Sequence, residues 1–183
     1  MPVVISMLRG VNLGPHNRIK MDDLRALYES LKLENPRSYV QSGNVIFRSN
    51  QKNGPQLASK IQSAIQKKFG CCPEVILRTP DEMRKAIAAN PFPERTKQEP
   101  SRVLVTFLSA KPPREAEANL EKLKGFPEEL HLNGRELYIY FPNGAGRSKL
   151  PWSAVDKLLK VTGTARNWNS VQAMLEIAEE MEL

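Results

Sequence analysis

Three stretches of this sequence combine turn residues with cationic or amide side chains, and each adjoins a predicted strand end. They span residues 9–20, 41–44 and 143–149. Arginine, lysine and amide side chains beside glycine backbone N–H groups are typical of sites that bind anions. The sequence therefore predicts a binding module for an anionic small molecule, phosphorylated or nucleotide-like. The candidate ligand-binding residues in and near these stretches are Arg9, Asn12, Lys20, Gln41, Ser42, Asn44, Gly144, Gly146, Arg147, Ser148, Lys149, Arg166 and Asn167.

These candidates are expected to form two patches. In a β-α-β-β-α-β order the first strand pairs with a strand of the central hairpin, so residues 9–20 should lie beside residues 41–44. The second patch should combine residues 144–149 with Arg166 and Asn167, and we expect no acidic residue to intervene in either patch. The alternative is that Gln41, Asn44 and Asn167 only tie loops down through hydrogen bonds to backbone.

The stretch Asn143–Lys149 runs from a predicted strand into a predicted helix. Backbone N–H groups in a glycine-rich turn at the start of a helix favour an anion, and Arg147 and Lys149 add positive charge. The spacing differs from that of a Walker A loop, so the sequence identifies no nucleotide cofactor. The alternative is an ordinary turn between a strand and a helix.

Motifs for catalysis and for metal binding are missing from the sequence. No Ser/His/Asp, paired-carboxylate or Cys/His pattern stands out, so the sequence leaves open whether the chain is an enzyme and which cofactor, if any, it uses. His16 and His131 lie far apart without ligand spacing, and we predict no metal site. Cys71 and Cys72 are neighbours with no third cysteine, and we expect both to be reduced and functionally replaceable.

The positive charge is concentrated in the first part of the chain. Residues 1–70 contain 11 Lys and Arg against 4 Asp and Glu, and the remainder is neutral. A first alternative function is therefore nucleic-acid binding through the basic N-terminal half, although the RNP1 pattern is missing around Tyr138 and Tyr140. A second alternative is a protein-interaction or dimerisation domain that uses the neutral second half and its amphipathic terminal helix.

The order of predicted elements must position these candidates. Strands, helices and a hairpin follow the order β-α-β-β-α-β in the first half, and the second half repeats it. The predicted fold class is α+β, with two ferredoxin-like units in tandem, antiparallel sheets with helices on one face, and a C-terminal helix. We place the domains at residues 1–79 and 80–183, with a linker at residues 91–100.

Local signals fix several element ends. Asn53-Gly54-Pro55 should begin the second helix, and Thr79 with Glu82 forms a capping box for the third. Asn169 or Ser170 should cap the terminal helix. No apolar run is long enough to span a membrane, and residues 1–9 indicate a strand instead of a signal peptide, so we expect a cytoplasmic protein without a membrane partner.

Three blocks of the sequence resemble a bacterial family catalogued as domain of unknown function 1697. The first runs from Leu8 to Gly14 and continues at Ile19-Lys20-Met21, and the second is Tyr39–Phe47. The third joins Gly146–Leu150 with Thr164–Ser170. Pro15 and Ser170 depart from the family's pattern. The resemblance implies two ferredoxin-like α+β halves, and it implies no activity because none is established for the family.

Overall fold

Two compact units make up the protein, and each contains one four-stranded antiparallel sheet. The computed structural model describes residues 1–51 and 54–183. Unit 1 consists of Met1–Lys85 together with Gln172–Leu183, and unit 2 consists of Ala86–Val171. The predicted α+β class with two antiparallel sheets and a C-terminal helix is confirmed.

Unit 1 has the strand order β2-β3-β1-β4, so its first strand lies between the hairpin and the last strand. The pairing of β1 with β3 places Met7 opposite Asn44. This is the pairing of the first strand with the hairpin that the sequence predicts. The elements are β1 (Val3–Leu8), α1 (Met21–Ser30), β2 (Glu34–Tyr39), β3 (Asn44–Arg48), α2 (Gly54–Phe69), β4 (Val75–Arg78) and α3 (Pro80–Ala88). Asn53, where we place the start of α2, lies outside the described residues.

The core of unit 1 forms because α1 and α2 each carry an apolar stripe at helical spacing. The buried residues of the two helices include Leu24, Tyr28 and Ile61. The Tyr28 ring meets the Phe47 ring edge-on at 5.3 Å between centroids, and its hydroxyl is hydrogen-bonded to Ser6 Oγ at 2.8 Å. Burial raises the pKa of Tyr28, which therefore stays neutral at physiological pH.

Unit 2 repeats the arrangement with the strand order β6-β7-β5-β8. Leu137, Ile139 and Phe141 are all fully buried, as the sequence predicts, and Tyr138 and Tyr140 between them are buried as well. The elements are α4 (Pro93–Gln98), β5 (Val103–Leu108), α5 (Glu115–Leu120), β6 (Glu129–Asn133), β7 (Glu136–Tyr140), α6 (Trp152–Leu159), β8 (Gly163–Asn167) and α7 (Trp168–Glu182), which continues into unit 1 from Gln172.

Two segments of unit 2 differ from the sequence prediction. Residues 91–100, predicted as a linker, contain the short helix α4, whose first residue is Pro93. Proline suits that position because its fixed φ is helical and its missing N–H would have no intrahelical partner there. The spacing of Leu120 and Leu123 predicts one helix over residues 113–124, but the structure has α5 followed by a 3₁₀ turn from Glu121 to Leu123.

The last turns of α7 are held in unit 1 by arginine side chains. Arg48 Nε donates a hydrogen bond of 3.0 Å to the carbonyl of Met181, and Arg84 Nε donates one of 2.9 Å to Glu179. Arg84 also pairs with Asp81 at 2.7 Å. The hydrogen bonds that Arg84 donates to Glu179 and Glu182 raise its pKa. In the described part of the chain, no helix has the length and hydropathy that crossing a membrane requires.

Candidate functional site

The loop of residues 9–20 and the bend of the central hairpin meet at one edge of the unit 1 sheet. Leu8, the last residue of β1, donates its backbone N–H to the Gly43 carbonyl at 3.0 Å. Beyond β1, the side chain of Asn12 donates to the Gln41 carbonyl at 2.6 Å. The structure therefore places these two of the three candidate stretches side by side.

Asn12 connects the two segments because its amide has three hydrogen bonds. Nδ2 donates to the carbonyls of Ile19, at 2.9 Å, and Gln41, while Oδ1 accepts from the Ile19 N–H at 2.7 Å. Its backbone φ of 57° lies in the left-handed region, which asparagine tolerates better than most residues. Asn12 thus closes the loop and attaches it to the hairpin.

The hairpin bend is held by Asn44, which is fully buried. Its Nδ2 donates to the Tyr39 carbonyl at 3.1 Å and to Ser42 Oγ at 2.9 Å. Gly43 has a φ of 80°, a conformation that residues with a Cβ rarely adopt. Asn44 therefore makes the backbone hydrogen bond that the structural alternative predicts.

A cavity of about 480 Å³ opens between these segments. Its size falls in the range of small-molecule sites. No carboxylate is among the described residues that line it, and the lining includes two cations and two amides. The lining residues are Asn12, Arg18, Ile19, Lys20 and Gln41.

Six candidate residues were predicted for the first patch, and three of them line the cavity. Asn12, Lys20 and Gln41 line the cavity, whereas Arg9, Ser42 and Asn44 are not among the lining residues. Arg18 lines it but was not among the sequence candidates. The available signal was its position two residues before Lys20 in a loop predicted to face the hairpin.

The stretch 143–149 uses several of its backbone N–H groups internally. Gly144 donates to the Phe141 carbonyl at 3.0 Å, Arg147 to the Gly144 carbonyl at 3.2 Å, and Ser148 to the Ala145 carbonyl at 3.2 Å. The first bond closes a turn after β7, and the other two stabilise a 3₁₀ turn at Ala145–Arg147. The three N–H groups are therefore not free to cradle an anion.

An acidic residue lies directly beside this second patch. Ser148 Oγ donates a hydrogen bond of 2.7 Å to Glu128 Oε1, and Glu128 is only 8% exposed. The expectation that no acidic residue intervenes is therefore wrong here. Arg147 and Lys149 are exposed, and neither side chain has a hydrogen bond or ion pair with the described residues. Gly146 is exposed as well, with no atom within 4 Å of an added Cβ.

Arg166 and Asn167 are the last two residues of β8. Because β5 lies between β7 and β8 and pairs antiparallel with both, β7 and β8 finish at the same end of the sheet. The Arg166 side chain is buried, and its Nη1 donates to Thr164 Oγ1 at 2.6 Å and to the Ala165 carbonyl at 2.8 Å. Desolvation lowers the pKa of Arg166 to about 10, so the side chain remains charged at neutral pH.

Asn167 caps α7, in place of the predicted Asn169 or Ser170. Its Oδ1 accepts the N–H of Ser170, three residues further along the chain, at 2.9 Å, and this is the geometry of an N-cap. The cap falls earlier because α7 already begins at Trp168, directly after β8. Asn167 thus has a structural role.

Replacing Asn167 with alanine should lower the free energy of unfolding by about 1 kcal/mol, because the first turn of α7 loses its side-chain acceptor. Denaturation followed by tryptophan fluorescence measures this, since Trp168 is the next residue. Asn169→Ala is the matched control, with an expected change below about 0.5 kcal/mol. Equal losses in the two variants would contradict the assignment of the cap.

Other sequence expectations concern the cysteines, the metal ligands and the tyrosines. Cys71 and Cys72 are both free thiols, and burial raises the pKa of Cys71. No group of three potential metal ligands occurs among residues 1–51 and 54–183. Tyr138 and Tyr140 are buried, with hydroxyls bonded to the Ala86 carbonyl and to Glu99, so neither ring offers a surface for stacking bases.

Almost the whole of this chain is similar in fold to a solved bacterial structure. The conserved bacterial protein SP0830 from Streptococcus pneumoniae has a TM-score of 0.71 and 17% sequence identity, over 97% of this chain and 98% of that chain. At this identity the similarity shows the fold alone. No match was found among curated proteins. The family model described as Protein of unknown function (DUF1697) matches residues 1–138, which include two of the three motif blocks. The chain therefore belongs to the DUF1697 family.

Proposed function

We propose that the protein binds a small anionic ligand, phosphorylated or nucleotide-like, in the cavity between residues 9–20 and the hairpin bend. The observation that carries this proposal is the lining: Arg18 and Lys20 supply two positive charges, and no described lining residue is acidic. A cavity of this charge and volume suits a phosphate group with a modest organic substituent.

The two cations have donors available for a ligand. Arg18 uses Nε on the Gly14 carbonyl at 3.1 Å, which leaves the two terminal nitrogens of the guanidinium. Lys20 is exposed and has no hydrogen bond or ion pair with the described residues. A guanidinium fork can bind two phosphate oxygens at once, while an ammonium group supplies a mobile point charge.

The amides of the cavity have different tasks. Asn12 already donates both hydrogens of Nδ2 to backbone carbonyls, so it fixes the walls before any ligand arrives. Such preorganisation lowers the entropic cost of binding, because the walls are already ordered. The Gln41 side chain is exposed and has no hydrogen bond to the described residues, so its amide can reach a ligand.

We place the ligand here in preference to the stretch 143–149. In that stretch the N–H groups of Gly144, Arg147 and Ser148 are already hydrogen-bonded, and Glu128 would repel an anion. Arg147 and Lys149 are therefore suitable for a control variant, because their removal also takes away one arginine and one lysine charge.

The double variant Arg18→Ala/Lys20→Ala should bind phosphate-bearing ligands at least about tenfold more weakly, because each lost charge-assisted hydrogen bond is worth roughly 1.5–3 kcal/mol. Isothermal titration calorimetry with pyrophosphate and with ADP measures the change. The control Arg147→Ala/Lys149→Ala should bind as the wild type does. If only the control loses affinity, the ligand lies at the second patch and the proposal is wrong.

Nucleic-acid binding is the second candidate because residues 1–70 carry the whole positive excess. Dependence on salt separates the two functions. A protein that neutralises several phosphates loses affinity steeply as salt rises, whereas a site for one small anion loses it gradually. A steep slope with single-stranded RNA or duplex DNA, together with no binding of pyrophosphate or ADP, would favour the second candidate.

Dimerisation through α7 has less support in the structure. The apolar residues Val171, Met174, Ala178 and Met181 of this helix are buried within the chain. Glu176, Glu179, Glu180 and Glu182 are exposed. Most of the apolar stripe that suggests a partner in the sequence is therefore already covered, although Leu175 within it is only half-buried.

A further inference from the structure

Most of the large apolar side chains that are exposed in the described residues have a local explanation. Two are the first and last described residues, and the Trp152 ring lies 5.8 Å from the Phe141 ring, centroid to centroid. The other two, Leu13 and Val40, have no such explanation. The complete set is Met1, Leu13, Val40, Trp152 and Leu183.

Leu13 and Val40 are chain neighbours of residues that line the cavity. Leu13 is 72% exposed and follows Asn12, while Val40 is 50% exposed and precedes Gln41. Asn12 Nδ2 lies 2.6 Å from the Gln41 carbonyl oxygen, and consecutive Cα atoms are only about 3.8 Å apart. Neither Leu13 nor Val40 is among the lining residues, so only a ligand that extends beyond the cavity can contact them.

The backbone of Val40 is strained. Its φ is 50°, in the left-handed region, where a β-branched residue is a genuine outlier. Valine gains nothing from sheet packing here because it lies between β2 and β3 and is half exposed. Strained residues of this kind cluster at ligand sites and active sites, where the surrounding structure holds them in place.

We infer that the anion bound in this cavity is amphiphilic: a phosphate ester whose apolar group, alkyl or aromatic, packs on Leu13 and Val40. The inference rests on the proposed function, because Arg18 and Lys20 hold the phosphate. Leu13 and Val40 then bury the substituent, and the hydrophobic contribution grows with the apolar area that leaves water.

A series of phosphate esters tests this inference by calorimetry with the full chain. Methyl, butyl and hexyl phosphate share one headgroup, and AMP carries an aromatic base. Full burial of a methylene is worth roughly fourfold in affinity and half burial about twofold. We therefore expect hexyl phosphate to bind at least about tenfold more tightly than methyl phosphate. A larger gain with AMP than with hexyl phosphate would identify an aromatic group as the preferred substituent.

The double variant Leu13→Ser/Val40→Asn should lose this gain and still bind methyl phosphate as the wild type does. Leu183→Ser, which removes an exposed apolar side chain elsewhere, should keep it. Val40→Asn alone should raise the unfolding midpoint, because asparagine tolerates the left-handed region. That rise would show that the valine is kept at a cost in stability.

The outcomes separate the two proposals. Equal affinity for methyl phosphate, hexyl phosphate and AMP in the wild type would overturn the inference alone, as would a hexyl gain that persists in the double variant. If no ester binds at all, the proposed function is wrong and the inference is wrong with it.

Discussion

The variant Gly43→Ala should lose about 3 kcal/mol of unfolding free energy. The left-handed backbone costs a residue with a Cβ roughly 1–2 kcal/mol. The new methyl group would also lie 2.9 Å from the Cβ of Leu8, an atom fixed to the backbone of β1. Overpacking of this kind adds roughly 1–3 kcal/mol. Urea denaturation followed by far-UV circular dichroism measures the loss.

Gly14→Ala separates the two contributions. Gly14 has a φ of 75°, close to that of Gly43, but no atom lies within 4 Å of the added Cβ. It should therefore lose only the backbone cost of about 1 kcal/mol. If both variants lose the same free energy, the contact between Gly43 and Leu8 contributes nothing. The hairpin bend would then tolerate a side chain.

Gly163→Ala should destabilise unit 2 by about 3 kcal/mol or more, through sterics alone. Gly163 has no positive φ, yet an added Cβ would lie 2.7 Å from the Phe107 carbonyl oxygen and 2.8 Å from Thr106 Cγ2. The carbonyl belongs to the ladder between β5 and β8, so relief of the contact would require the two strands to separate.

Tryptophan fluorescence is the suitable probe for this variant because Trp152 and Trp168 both lie in unit 2. Gly125→Ala is the control. It also has no positive φ, and no atom lies within 4 Å of its added Cβ. Its expected change is within about 0.5 kcal/mol. If the unfolding transitions of Gly163→Ala and Gly125→Ala coincide, the strands β5 and β8 accommodate the added methyl group without a loss of unfolding free energy.

The sheets could be predicted from the sequence because most of their strands are short, mainly apolar runs, and most residues of both faces in β1 and β5 are buried. Val103, Val105 and Phe107 alternate in the sequence, and all three are fully buried in β5. The capping box of α3 was equally predictable: Thr79 Oγ1 accepts the Glu82 N–H, and the Glu82 carboxylate accepts the Thr79 N–H. Both signals are local and repeat known geometry.

The parts that could not be predicted depend on contacts between residues distant in the sequence. Glu128 and Ser148 are 20 residues apart, and no periodicity shows that their side chains will meet. The role of Asn12 depends on the Gln41 carbonyl, which is positioned by the hairpin. In the candidate site the residue types were therefore visible, but the division between side chains that hold the fold and those that face the cavity was not.

One relation between the halves also escaped the sequence analysis. Each last strand has a buried arginine directly before the residue that caps the next helix: Arg78 before Thr79, and Arg166 before Asn167. The two pairs share only the arginine, so sequence comparison hides the correspondence. The repeated architecture thus extends to the junction between strand and helix.

The division of unit 1 into two chain segments constrains how the protein folds during synthesis. Met1–Lys85 leave the ribosome early, but Gln172–Leu183 are translated only after all of unit 2. Until then Arg48 and Arg84 lack their partners on α7. The usual order, in which the N-terminal domain is completed first, is therefore reversed here. A premature stop codon just after unit 2 would leave the later-encoded unit whole and the first-encoded unit incomplete.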